Sequence, residues 1–334
     1  MALLEIEDLC VSYTTPGGTV KAVDGASFNV PEGAIVGLVG ESGCGKTTVA
    51  RALTRVIPKN ARVTKGRMVF QGQDLLALSA RQMNALRWRD ISFVPQSAMN
   101  SLDPVYRIEA QLLEVLCQRG GLRRKEARQR ARDLFDMVGI DPKRLSDFPH
   151  QFSGGMRQRA AIALALALEP KLVIADEPVT ALDVIVQRQI LDQLRSLQQR
   201  LGLSVIMVTH DISVVAYACD YVVVMYAGKV IEAGPTQQVL NNPSHPYTMG
   251  LYNAFPDLQT SGDVLTPIEG YPPDLRNPPQ GCRFAPRCPF ARDDCRRDQP
   301  DPRILSEGHN AACHRLDDVV DLREQARKVA TWSR

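Results

Sequence analysis

Long hydrophobic runs are missing from this 334-residue sequence, and the longest, Ala160–Leu168, has nine residues. A bilayer-spanning helix needs about 20. The opening stretch M-A-L-L-E-I-E has neither a basic leader nor a small-residue cleavage site, so the chain is expected in the cytoplasm. A dominant charge is missing too: 40 basic and 37 acidic side chains leave a net charge of +3. No bulk basic footprint for nucleic acid is present, and a DNA-binding role would need a local motif. Cysteines are few, eight in all, and in a reducing compartment they do not read as a disulfide framework. Burial, metal binding or reactivity remain for them.

What is present fits a globular protein, with 44% hydrophobic and 23% charged residues, which excludes a disordered or collagen-like chain. At about 100–200 residues per domain, the length suggests two units. The composition is uneven, because 12 of the 22 prolines and four of the eight cysteines lie beyond residue 240.

Along the chain, residues 3–30 read as alternating strands around a Pro16-Gly17-Gly18 turn. The apolar run Ala34–Val39 reads as a buried strand, followed by a glycine-rich loop and a helix from Lys46 to about Ile57, stopped by Pro58. Residues 97–150 are helical and polar, and the run Arg123–Asp133 reads as a solvated face. An alanine-rich helix over 156–168, strands over 171–175 and 204–209, and a helix over 184–201 follow. Alternating strand and helix predicts a largely parallel sheet, an α/β fold.

Residues 40–47 read G-E-S-G-C-G-K-T, the phosphate-loop pattern between a strand and a helix. Glycines 43 and 45 let backbone N–H groups approach phosphate oxygens, and the helix N-terminus adds partial positive charge. Lys46 is suited to the β- and γ-phosphates and Thr47 to Mg²⁺; Cys44 reads as a small loop residue. The strand L-V-I-A-D-E-P over Leu172–Pro178 places Asp176 and Glu177 at its C-terminal edge, where ligands bind in open α/β sheets. Asp176 is suited to holding Mg²⁺ through water and Glu177 to polarising an attacking water. In F-S-G-G-M-R-Q-R, residues 152–159, Ser153 is a helix N-cap and the helix start is a second anion site.

Two phosphate-seeking loops in one chain resemble the nucleotide-binding subunit of an ATP-binding cassette transporter. The resemblance implies a P-loop NTPase with a RecA-like core, an antiparallel β subdomain and an α-helical signature subdomain at about 97–160, in a cassette over 1–238. It implies that the signature Ser153, Gly154, Gly155 and Met156 closes over ATP held by the opposite subunit's loop, here Ser42, Gly43, Cys44, Gly45, Lys46, Thr47 and Thr48. Tyr13 would stack on adenine. Gln96, in F-V-P-Q, would sense metal and water, Mg²⁺ being held by Thr47, Gln96 and Asp176. Asp183 of A-L-D would form the D-loop, and His210 of V-T-H-D would contact the γ-phosphate beside the catalytic Glu177. Val179 stands where close relatives usually have threonine.

F-S-G-G-M-R-Q-R, N-P-S-H-P-Y-T over Asn242–Thr248 and G-C-R-F-A-P-R-C-P over Gly281–Pro289 resemble the dipeptide and oligopeptide permease branch. Its C-terminal extension would occupy 239–334 as a small proline-rich, cysteine-containing domain. Cys282, Cys288, Cys295 and Cys313 have five, six and seventeen residues between them, looser than the two to four (about) usual for zinc pairs. Iron–sulfur clusters take four thiolates at more varied spacing. By resemblance the extension carries a [4Fe-4S] cluster; zinc, with His309 or His314 nearby, and unligated thiols stay open. A proline-rich tail with little core of its own would draw fold energy from such a centre.

The resemblance implies an ATPase subunit of a peptide-type importer, peripheral on the cytoplasmic face of the bacterial inner membrane. Its partners would be a homologous second ATPase, two integral membrane permease subunits reached through about Ser97–Arg107, and an extracytoplasmic binding protein, with no nucleic acid. The alternatives are a soluble cassette protein acting on nucleic acid or ribosomes, and a soluble ABC ATPase regulated by a redox-sensing iron–sulfur tail.

Overall fold

A computed structural model describes residues 2–96, 101–253 and 267–332. The chain divides into two compact units. The first comprises Met1–Leu4, Val30–Ile35 and Phe70–Val208, and the second comprises Glu5–Asn29, Val36–Val69 and Thr209–Arg334.

The first unit is built on three parallel strands, Ile91–Val94, Leu172–Asp176 and Ser204–Thr209, with Ile91 opposite Leu172 and Leu172 opposite Ser204. The two strands Leu172–Asp176 and Ser204–Thr209 are buried along their whole length, which is why they read as unbroken apolar runs rather than as alternation. The helix Val184–Leu201 buries Ile190, Leu191, Leu194 and Leu197, one stripe at helical spacing, and ends at left-handed Gly202. The basic helix Arg124–Met137 likewise buries Ala127, Ala131, Leu134 and Phe135 and turns its charges outward. Arg128 pairs with Glu109 at 3.3 Å and Arg130 with Glu169 at 2.9 Å, so the charge run is a solvated face, as expected. The alanine-rich helix spans Gly154–Ala165, starting two residues earlier than its pattern predicts because Ser153 caps it.

The second unit holds residues 5–29 of the hairpin Ala2–Thr15 and Gly18–Pro31 around Pro16-Gly17, with residues 61–69 of the strand Ala61–Phe70 beside the first of these strands. It also holds a run of strands that starts with Ile35–Val39, parallel to Tyr221–Tyr226. Tyr221–Tyr226 pairs antiparallel with Lys229–Pro235, which pairs antiparallel with His309–Ala311, which pairs with Arg303–Ser306. The C-terminal segment thus adds two strands to this unit's sheet. It also buries Tyr247, Phe284, Leu322 and Trp332, more core than its proline content suggests.

The helix after the phosphate loop spans Lys46–Leu53, four residues shorter than the sequence pattern implies. Pro58 does not end it. Arg55 turns left-handed at φ 51°, its N–H bonds the Ala52 carbonyl at 2.9 Å, and the Val56 N–H bonds the Arg51 carbonyl at 3.0 Å. Those two bonds close the helix in a Schellman arrangement without its usual glycine.

Candidate nucleotide site

In the second unit, the buried strand Ile35–Val39 delivers the chain into the loop 40–47. Gly45 is the N-cap of the helix Lys46–Leu53 at φ 107°, and a Cβ there would lie 2.3 Å from the Ala22 carbonyl oxygen. No larger residue fits without moving backbone. Gly43 also has a positive φ, 79°, but open space around it, so its requirement is conformational. The Lys46 ammonium is buried and donates to the carbonyl oxygens of Gly40 at 2.6 Å and Glu41 at 2.9 Å. Its charge is therefore held inside the loop by two neutral acceptors. Cys44 is buried, and that burial pushes its thiol upward in pKa; a reactive thiol needs the opposite shift.

Tyr13 joins this loop through its hydroxyl, 3.2 Å from Thr48 Oγ1, and its ring is half-buried. His210 is exposed in the same unit, next to Asp211, which caps the helix Ile212–Ala218.

The first unit carries the two acids. Asp176 ends its strand with 1% exposure, and Glu177 follows at φ 51°, its N–H donating to the Val208 carbonyl at 2.8 Å. Ala181 also has a positive φ, 64°. Two non-glycine residues held left-handed within five positions are costly, and such strain collects where side-chain aim matters. Thr180 donates its hydroxyl to Glu177 Oε2 at 2.8 Å, fixing one carboxylate oxygen. Thr180 is a partner that the sequence reading missed. Val179 is buried.

Ser153 caps the helix Gly154–Ala165 by accepting the Met156 N–H at 3.3 Å. A Cβ on Gly155 would lie 2.6 Å from Val186 Cγ1, so this glycine is required by the neighbouring helix. Phe152 is buried against Phe135 at 6.3 Å between ring centroids, under the Arg144 guanidinium. Asp183 accepts the Val186 N–H at 2.9 Å as the N-cap of Val184–Leu201, and Gln96 is exposed at the end of the described segment. Thr47 in the second unit, and Gln96 and Asp176 in the first, each carry an oxygen donor, the donor type that Mg²⁺ takes.

In the C-terminal segment Cys282, Cys288, Cys295 and Cys313 line one cavity, together with Phe284, Phe290 and His314. Burial raises the pKa of all four thiols, that of Cys313 to about 12. Among the described residues no three His, Cys, Asp or Glu side chains gather as one metal ion requires. The zinc alternative is weakened further at His309, whose buried ring lies 2.9 Å from Glu232 Oε1. His314 bonds the Asp298 carbonyl at 2.8 Å.

His245 is fully enclosed, and its Nδ1 accepts the Tyr247 N–H at 3.0 Å, so the proton sits on Nε2. Burial alone pushes its pKa down to about 3. A folded-state pKa below the unfolded value gives stability that is present above the unfolded pKa and is lost as pH falls toward the folded one. Going from pH 7 to pH 5 is therefore expected to cost about 2 kcal/mol at this residue. Urea unfolding of the wild type and of His245→Asn at the two pH values should show a loss larger by about 2 kcal/mol in the former.

Comparison with known proteins fits this geometry. The ABC transporter family profile matches residues 23–180, and that of the oligopeptide/dipeptide transporter C-terminal region matches 231–295. The chain is 46% identical to the dipeptide transport ATP-binding protein DppD of Bacillus subtilis, over 93% of this chain and 94% of that one. It is 43% identical to the oligopeptide transport ATP-binding protein OppD of the same organism, over 92% and 87%. Among solved structures, the ATP-binding cassette MJ0796, a post-hydrolysis dimer with ADP and Pi, matches with a TM-score of 0.62 at 27% identity, over 70% of this chain and 98% of that one. The chain therefore belongs to the ABC transporter family as an ATP-hydrolysing cassette subunit.

Proposed function

We propose that this chain is the ATPase subunit of a peptide importer, with a cassette over about 1–238 and an accessory extension over 239–334. The observation that carries it is the pairing of an intact phosphate loop with an extension of the oligopeptide/dipeptide transporter type at 231–295 in one chain. The names of the relatives, dipeptide and oligopeptide transport ATP-binding proteins, support a peptide as the solute.

In this reading the loop amides of Ser42 to Thr48 and the Lys46 ammonium bind the β- and γ-phosphates, and Tyr13 stacks on adenine. Thr47, Gln96 and Asp176 would hold Mg²⁺, which would supply charge neutralisation at the phosphates. Glu177 accepts a proton from the attacking water, with its second oxygen held by Thr180, and His210 orients the γ-phosphate. Ser153, Gly154, Gly155 and Met156 offer a helix N-terminus to the nucleotide of a second, homologous ATPase, and Asp183 stands at that junction. ATP binding closes the pair and hydrolysis reopens it.

Among the described residues no helix is long and apolar enough to cross a membrane, so membrane-spanning partners would form the translocation path on whose cytoplasmic face the chain docks. Of the coupling segment Ser97–Arg107, residues 97–100 lie outside the described residues. Val105 and Tyr106 are 73% and 58% exposed, apolar groups available to permease helices. Purified by a tag on this chain, the complex is expected to contain two integral membrane proteins and a second ATPase. A lone chain that captures DNA instead would refute this reading.

The loose spacing of the four cysteines, with five, six and seventeen residues between them, supports a four-iron four-sulfur centre over zinc. Tetrahedral zinc would draw its sulfurs to within about 3.8 Å of one another, whereas each iron of a cluster takes one thiolate and the four stand apart. Binding would release the protons that burial now keeps on the thiols. The redox-sensing alternative gains no support from the relatives, whose names are those of transport ATP-binding proteins. Anaerobically purified chain is expected to be brown, with iron and acid-labile sulfide; stoichiometric zinc without iron would contradict the assignment.

A further inference from the structure

The cysteine-bearing segment 282–288 does more than line a cavity: it reaches the phosphate loop. Arg287 is almost enclosed, its side chain 7% exposed, and it donates from Nη1 to Glu41 Oε2 at 2.9 Å and to the Tyr226 hydroxyl at 3.3 Å. Its Nε and Nη2 donate to the carbonyl oxygens of Glu269 and Ile268, each at 3.0 Å. Glu41 is the second residue of the loop, and its carbonyl is one of the two that hold the Lys46 ammonium. The Glu41 N–H, in turn, donates to the hydroxyl of Tyr247 at 2.9 Å.

A second strut reaches the other end of the loop. Arg283 donates to the Ala227 carbonyl and to Asp24, and the next residue, Gly228, donates its N–H to the Cys44 carbonyl at 2.9 Å. Both arginines leave one tight turn, closed by Ala285 N–H to the Cys282 carbonyl at 3.0 Å and Arg287 N–H to the Phe284 carbonyl at 2.9 Å. Phe284 seats that turn on the rings of Tyr226 and Tyr247, at 5.2 and 5.4 Å between centroids.

We propose that Arg287, Arg283 and Tyr247 are positioning residues that set the conformation of the phosphate loop, so that the C-terminal extension tunes nucleotide affinity through Glu41 and Cys44. The inference rests on the ATP-site reading of residues 40–48 and deepens it. Physically, a bidentate-capable cation and a hydroxyl fix both the side chain and the amide of Glu41, which holds the Lys46 carbonyl acceptor at a constant place. Without them the loop has more conformations to lose when phosphate binds, and affinity falls.

The test is ATP affinity of the full-length chain, read by titration calorimetry beside thermal unfolding without nucleotide. Arg287→Met and Glu41→Gln are each expected to raise the Kd about tenfold, and the double variant no further than either alone, because the two changes break one pair. Tyr247→Phe keeps the aromatic packing and is expected to raise the Kd about threefold. Arg292→Met removes a neighbouring extension arginine that pairs with Asp318 and is expected to change nothing. Folded Arg287→Met and Tyr247→Phe with wild-type affinity, or multiplied effects of Arg287→Met and Glu41→Gln, would overturn the proposal. If Arg287→Met does not fold, Tyr247→Phe and Glu41→Gln decide it. Wild-type chain that binds no ATP, or binding unaffected by Lys46→Ala, would instead sink the ATP-site reading and this inference with it.

Discussion

Glu177→Gln is expected to retain ATP binding and to lose turnover by a factor of about 10²–10⁴, the usual worth of a positioned general base. The substitution is nearly isosteric, so Thr180 can still donate to the remaining side-chain oxygen and the left-handed turn at φ 51° is kept. What disappears is the carboxylate's capacity to take a proton from water. The split between binding and rate separates this from a structural effect, since damage to the turn would weaken both. Phosphate release by the assembled transporter measures the rate, and equilibrium dialysis measures the binding. Hydrolysis at the wild-type rate would remove Glu177 from its assigned role.

Lys46→Ala is expected to fail at the earlier step, with ATP affinity reduced about 10²-fold through loss of charge-assisted bonds to two phosphates. Some cost to the empty protein is also expected, because the carbonyl oxygens of Gly40 and Glu41, which the ammonium now holds at 2.6 and 2.9 Å, lose their donor. Lys46→Arg keeps the charge in a larger planar group that does not fit a buried pocket shaped by those two carbonyls. It should therefore rescue little. ATP binding by Lys46→Ala at wild-type strength would contradict the phosphate-loop assignment.

Local features were legible in the sequence. The phosphate loop, the acid pair and the Ser153 cap each depend on residues within a few positions, and the helix Val184–Leu201 has the bounds that its apolar stripe and Gly202 imply. The close of the first helix was hidden because Arg55, not a glycine, takes the left-handed position. The strand His309–Ala311 was hidden because three residues carry no periodicity; only its partner Lys229–Pro235 reveals it. The Arg287–Glu41 pair was hidden for a related reason. It joins positions 246 apart, and an arginine beside a cysteine reads as surface charge until the fold encloses it.

If this subunit couples ATP hydrolysis to peptide import, peptide uptake must fail when its hydrolysis fails. The most direct test is uptake of a labelled dipeptide and a labelled pentapeptide by proteoliposomes containing the whole transporter and its binding protein, with ATP supplied on the side of this chain. Uptake of at least one peptide is expected, requiring ATP and abolished by Glu177→Gln in this subunit. Peptide uptake that continues unchanged with that variant, or ATP-driven movement of a non-peptide solute alone, would contradict it.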